Sequence, residues 1–157
     1  VSSHYPFRRK LLYIVRSKLK NVLNCKVINH PGQPDMPYDK IPGYTLDTYA
    51  RELNRAKISL TCASKYKYRL GKYVEIPMCH SLLAGDLPNE DQDFFREFML
   101  VLDPNWSEEQ IINKLVRYVK EDNLRENMIR RGAKLNSDYT QERYAERFIA
   151  AVDRLLV

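Results

Sequence analysis

The sequence predicts an α/β fold in which a doubly wound, mainly parallel sheet is flanked by helices and the C-terminal helices pack on the sheet. Three observations carry this. Short apolar runs alternate with segments of helical periodicity, the pattern of strand–helix–strand units. Two of those runs, Ile58–Cys62 and Ser81–Ala84, are joined by a loop and a short helical stretch, a compact crossover that implies a parallel pair. A third, Phe98–Leu102 (FMLVL), is apolar almost throughout, as in strands buried on both faces.

Taken in order, Val1–Ser3 reads as the tail of a strand and His4-Tyr5-Pro6 as a loop, with Pro6 suited to the first turn of a helix. From Phe7 to Leu19 the apolar residues Phe7, Leu11, Leu12, Ile14, Val15 and Leu19 recur at helical spacing. Val22–Ile28 reads as a strand closed by the turn Asn29–Gly32, in which His30 is a turn residue. Gln33–Tyr44, rich in Pro and Gly, is a loop. Thr45 or Asp47 can cap a helix through Arg55 with Leu46, Tyr49, Ala50 and Leu53 inward. After Ile58–Cys62, Pro77 places a short helix start near Tyr73 or Val74, because proline lacks an N–H and suits the first turn. Gly85–Pro88 is turn chemistry and Asn89–Asp93 an acidic loop. Ser107 with Gln110 resembles a capping box ahead of a stripe of Ile111, Ile112, Leu115, Val116 and Val119. Two more helices follow, Leu124–Arg131 ending at Gly132, and Thr140–Leu156.

The 157 residues suffice for one domain, 1–157, with its own core. With 44% hydrophobic and 29% charged residues the composition excludes a disordered chain, and no apolar run approaches the ~20 residues of a membrane span. Cys25, Cys62 and Cys79 are odd in number and lack metal-ligand spacing, so buried free thiols in the cytoplasm are expected. Net charge is +6 with the bases spread out, apart from Arg8-Arg9-Lys10. That ranks a solvated surface first, a phosphate-bearing small ligand second and a nucleic acid third. The eleven tyrosines lie mostly beside apolar residues at helical spacing, which favours packing over stacking on bases.

The segment Arg69–Pro88 is the candidate site. In open parallel sheets ligands bind beyond the carboxyl ends of strands, which brings Ser64–Lys72, Glu75 and Asp86 to one crevice. Glu75 near a helix start can accept hydrogen bonds from a ribose diol, with Arg69 or Lys72 holding a diphosphate; equally it can pair with Lys72 and cap the helix. No His/carboxylate cluster implies a metal.

Ala63-Ser64, the loop KYKYRLGKY, Val74-Glu75-Ile76-Pro77-Met78-Cys79 and Leu82-Leu83-Ala84-Gly85-Asp86 together resemble the nucleotide-sugar motif in the C-terminal half of GT-B glycosyltransferases of the group 1 and spore-coat types. The run Tyr49–Ile58 fits that family's helix-to-strand entry, and Arg143-Tyr144 resembles its last helices. The resemblance implies a Rossmann-like domain that binds a nucleoside-diphosphate sugar. No metal or other cofactor is implied, and no catalytic residue is assigned. The site would be Glu75 on the ribose, Arg69, Lys72 and Arg8 on the diphosphate, with Ser64, Tyr68 and His80 lining it. It also implies an acceptor-binding half of the same chain preceding Val1, without which the domain would be inactive. Two positions depart from the pattern. Lys67 stands where many retaining members carry an acid against the donor sugar, and His80 replaces the glycine after the cysteine. Two readings compete with a glycosyltransferase domain: a non-catalytic basic module that binds nucleic acid or protein, and a degenerate glycosyltransferase scaffold.

Overall fold

A computed structural model describes residues 5–28 and 46–155. The expectations for Val1–Ser3, His30, the loop Gln33–Tyr44 and a Thr45 cap lie outside the described residues. The elements are α1 (Pro6–Tyr13), continued by a π-helical turn (Ile14–Leu19), α2 (Leu46–Arg55), β1 (Ile58–Leu60), α3 (Lys72–Met78), β2 (Leu82–Gly85), α4 (Gln92–Arg96), β3 (Leu100–Val101), α5 (Glu108–Lys120), α6 (Asp122–Asn136) and α7 (Gln141–Asp153). The architecture is α/β with a three-stranded parallel sheet in the order β1-β2-β3. Ile58 pairs with Leu82 and Leu60 with Ala84; Ala84 pairs with Leu100.

Alternation along β2 divides the core. Leu82 and Ala84 join a cluster with Phe7, Leu11, Ile14, Cys62, Leu100, Leu102, Ile111 and Leu115. Leu83 joins another with Leu53, Ala63, Tyr73, Ile76, Phe95 and Phe98. The two sets follow from the period-2 geometry of a strand with no polar side. Gly85 is required where the ladder is tightest, since a Cβ there would lie 2.5 Å from the Thr61 carbonyl oxygen. At the other end of the ladder the Ser59 and Ser81 hydroxyls lie 2.8 Å apart, and Ser81 Oγ donates to the Ala56 carbonyl.

Several expectations are corrected. Val22–Ile28 is not a strand. Val22 and Leu23 donate to the Leu19 carbonyl in a turn, residues 24–28 have no regular structure, and Val22 and Ile28 are exposed. The turn before it is π-helical, which brings Ile14 and Leu19, five residues apart, onto one buried face. Pro77 lies in the last turn of α3, not the first. The helix ends one residue later, so the missing N–H removes only a single interior bond. Gly132 does not stop α6, which runs on to Asn136. Its missing side chain lets α6 approach α3: a Cβ would sit 2.9 Å from the Phe98 ring and 3.3 Å from Pro77 Cβ. The acidic loop Asn89–Asp93 runs into α4, whose Phe94 and Phe95 extend an aromatic cluster through Phe98 and Tyr73. Cys25 is exposed, while Cys62 is buried and Cys79 half-buried. Tyr13, Tyr66, Tyr68, Tyr139 and Tyr144 are exposed rather than packed. The capping box on α5 is present in full. α5 buries Ile111 and Leu115 and α6 buries Ile129, but α7 buries nothing and does not pack on the sheet. Among the described residues no helix is long and apolar enough to cross a membrane.

Gly132→Val should cost about 2 kcal/mol in urea unfolding, the overpacking range, although a β-carbon in a helix is ordinarily favourable relative to glycine.

Candidate functional site

The carboxyl ends of β1 and β2 share one rim, organised by Asp86. This residue is 3% exposed. Its Oδ1 accepts the Ala63 N–H at 2.8 Å, and its Oδ2 faces the Lys67 ammonium at 2.5 Å. Its carbonyl accepts the hydroxyl of Tyr73, itself fully buried. One residue therefore ties the exit of β1, the following loop and α3. Lys67 adopts the left-handed region at φ 61°, rare for a long side chain. Two anchors hold it there: the Asp86 carboxylate, and the Asn89 N–H that the Lys67 carbonyl accepts. Ser64 winds the same loop. Its hydroxyl accepts the N–H groups of Tyr66 and Tyr68 at 3.2 and 3.0 Å. Tyr66 and Tyr68 are left exposed with ring centroids 5.7 Å apart.

The first turn of α3 carries the charged cluster. Lys72 Nζ donates to the Tyr49 hydroxyl of α2 at 2.6 Å and stands 4.5 Å from that ring's centroid. The Tyr49 hydroxyl donates to Glu75 Oε2 at 3.3 Å. Lys72 and Glu75 approach only to 3.9 Å, and the Glu75 side chain is 49% exposed. Burial holds the Lys72 ammonium below its ordinary pKa, Glu75 pulls it back up, and Arg8 adds to the depression. Arg8 reaches this region from α1, beside the Cys62 thiol. Burial pushes that thiol up and Arg8 partly offsets the effect. Burial likewise raises the Tyr73 hydroxyl far above the usual phenol range.

Of the residues the sequence nominates, Arg8, Lys72 and Glu75 converge, with Ser64 and Tyr68 in the adjoining loop. Arg69 turns elsewhere: its N–H donates to Glu90, and its guanidinium lies 3.5 Å from Asp91 and 5.3 Å over the Tyr139 ring. His80 follows the other end of α3, exposed and at φ 54°, where the chain enters β2. Lys10 is structural, donating to the Pro104 and Trp106 carbonyls. Sequence reasoning missed Tyr49, which it placed on the inner side of α2, and the role of Lys67. For Lys67 there was a signal, a base in a loop that ends on a strand-terminal acid. For Tyr49 there was none, because its partner lies on a different helix.

Two cations and one half-exposed carboxylate at this rim can hold a diphosphate and hydrogen-bond a diol. Compared with family models, curated proteins and solved structures, the chain matches none.

Asp86→Ala should cost about 3 kcal/mol in chemical unfolding, since it orphans a buried N–H and releases the Lys67 anchor. A second expectation concerns pH. Because Lys72 titrates below its ordinary value of 10.5, the unfolded chain holds more protons between the two pKa values. Stability should rise with pH across that window and level off above it. Lys72→Met should flatten the slope, measured by urea unfolding at a series of alkaline pH values.

Proposed function

We propose that this chain is the donor-binding domain of a GT-B glycosyltransferase and takes a nucleoside-diphosphate sugar. The observation that carries the reading is the convergence of Arg8, Lys72 and Glu75 beside the carboxyl ends of two parallel strands, where open α/β sheets bind ligands. Lys72 and Arg8 take the diphosphate. Burial lowers the pKa of the Lys72 ammonium, so an arriving phosphate stabilises a charge that desolvation disfavours. Glu75, held only loosely by Tyr49 and Lys72, keeps lone pairs for a ribose diol. The loop wound on Ser64 supports the rim, with Tyr68 at its edge. The domain's share of catalysis is to position the donor and stabilise the departing nucleoside diphosphate. In this reading the three strands belong to a larger doubly wound, Rossmann-like sheet. An acceptor domain of the same protein completes the enzyme in the cytoplasm, and no metal is needed.

The ion pair between Lys67 and Asp86 favours a second reading, a domain that retains nucleotide binding but has lost sugar transfer. It puts a cation where a donor-sugar acid would stand and ties it to the strand end.

Uridine or guanosine diphosphate at ~100 times its dissociation constant should stabilise the fold by about 2.7 kcal/mol, read as a rise in melting temperature. Glu75→Ala and Lys72→Ala should each weaken binding by about tenfold. No shift with either nucleotide at millimolar concentration overturns both readings. Binding that survives in a full-length protein unable to transfer sugar selects the second.

A further inference from the structure

Positive charge is not spread evenly along the chain. Residues 1–34 hold seven of the 26 bases and none of the 20 acids, and the remainder carries one more acid than base. The net charge of +6 therefore traces to α1, the π-helical turn and the segment that follows.

The fold turns these bases to different uses. Lys10 donates to the Pro104 and Trp106 carbonyls, and Arg8 lies at the sheet rim near Cys62 and Lys72. Lys26 pairs with Glu52 at 2.6 Å. Arg9, Arg16, Lys18 and Lys20 are exposed, and among the described residues no acid pairs with any of them. The core dictates this. Phe7, Leu11, Ile14 and Leu19 take the buried side of the same segment, which leaves these bases to the solvent. Four unmatched charges of one sign along a short helical segment raise a positive potential that attracts an anionic surface.

Two exposed side chains beside them indicate which surface. Val22 is 64% exposed and lies in the turn that closes the helix, its N–H donating to the Leu19 carbonyl. Tyr13, on α1, is 49% exposed. A nucleic acid is held by bases along its phosphates and by open rings on which its bases stack. An aliphatic side chain adds little to that, and the Tyr13 ring is not open: the Lys18 ammonium stands 5.9 Å from its centroid. At the boundary of a bilayer both side chains gain. Val22 leaves water, and a tyrosine suits a place where one end is apolar and the other wet. A cluster of about four to eight Lys and Arg on a helix is also the composition that binds anionic lipid.

We propose that the exposed side of α1 and its π-helical turn, from Arg9 to Val22, docks this domain on an anionic lipid surface. Arg9, Arg16, Lys18 and Lys20 meet the headgroups, and Tyr13 and Val22 enter the interface. This uses neither Arg8 nor the rim, so the inference is independent of the proposed nucleotide site.

The test is co-sedimentation with lipid vesicles in the absence of nucleotide. The native chain should sediment with vesicles of equal parts phosphatidylserine and phosphatidylcholine and stay in solution with phosphatidylcholine alone. Added salt should release it. Arg16→Gln/Lys20→Gln should weaken binding about 25-fold, about fivefold for each charge. Val22→Ser, which leaves the charge unchanged, should weaken it about fivefold. All three positions are exposed, so urea unfolding of the variants should match the native chain. A native chain that ignores the mixed vesicles, or binds both kinds equally, overturns the proposal. So does either variant binding like the native chain, or a native chain that leaves the mixed vesicles for an RNA duplex at equal phosphate concentration.

Discussion

The rim of the sheet depends on one buried carboxylate. A charge nearly removed from water is tolerated only when it is paired and its lone pairs are filled, and Asp86 meets both conditions with partners from two segments, the Ala63 N–H and the Lys67 ammonium. The cost of leaving any of these unmet makes the arrangement specific. The segment leaving β1 must bring the Ala63 N–H to the carboxylate, the loop must bring Lys67 around in a left-handed conformation, and Tyr73 must enter the core hydroxyl first to reach the Asp86 carbonyl. Once that is satisfied, the start of α3 is set, and Lys72 and Glu75 have no choice but to face α2 and Tyr49.

The far side of α3 is governed by close packing rather than charge. Tyr73, Phe94, Phe95 and Phe98 meet largely edge to face, with centroids 5.2–5.8 Å apart. α6 can lie against that cluster only because Gly132 brings no side chain to it. The end of α5 is closed by Arg125, whose buried guanidinium donates to the Tyr118 and Val119 carbonyls and pairs with Asp122. Polar closure on one side and aromatic packing on the other leave α3 little freedom, which is what a rim that must hold charges in place requires.

Periodicity makes the regular parts legible. Helices α1, α2, α5 and α7 and the parallel pair of β1 and β2 can be read from spacing and caps, because those signals are local: Ser107 with Gln110 works within a single turn. The errors fall where a local rule meets a distant neighbour. Gly132 reads as a helix stop, yet it is the contact point of another helix. Pro77 reads as a first-turn residue, yet it sits in a last turn too short to lose much. Val22–Ile28 has strand composition, yet no ladder within the described residues receives it.

In the site the same division holds. Sequence alone determined which chemistry was at hand, namely a carboxylate and several bases around one strand–loop–helix segment, because those residues are neighbours along the chain. Tertiary structure alone decided which of them meet. Arg8 arrives from a separate helix, Arg69 is drawn off to Asp91 and Tyr139, His80 is carried to the opposite end of α3, and Lys67 is neutralised by Asp86. The reason is physical. Side-chain identity sets what a group can bond, but which partner it takes depends on desolvation and distance, and both exist only once the chain has folded.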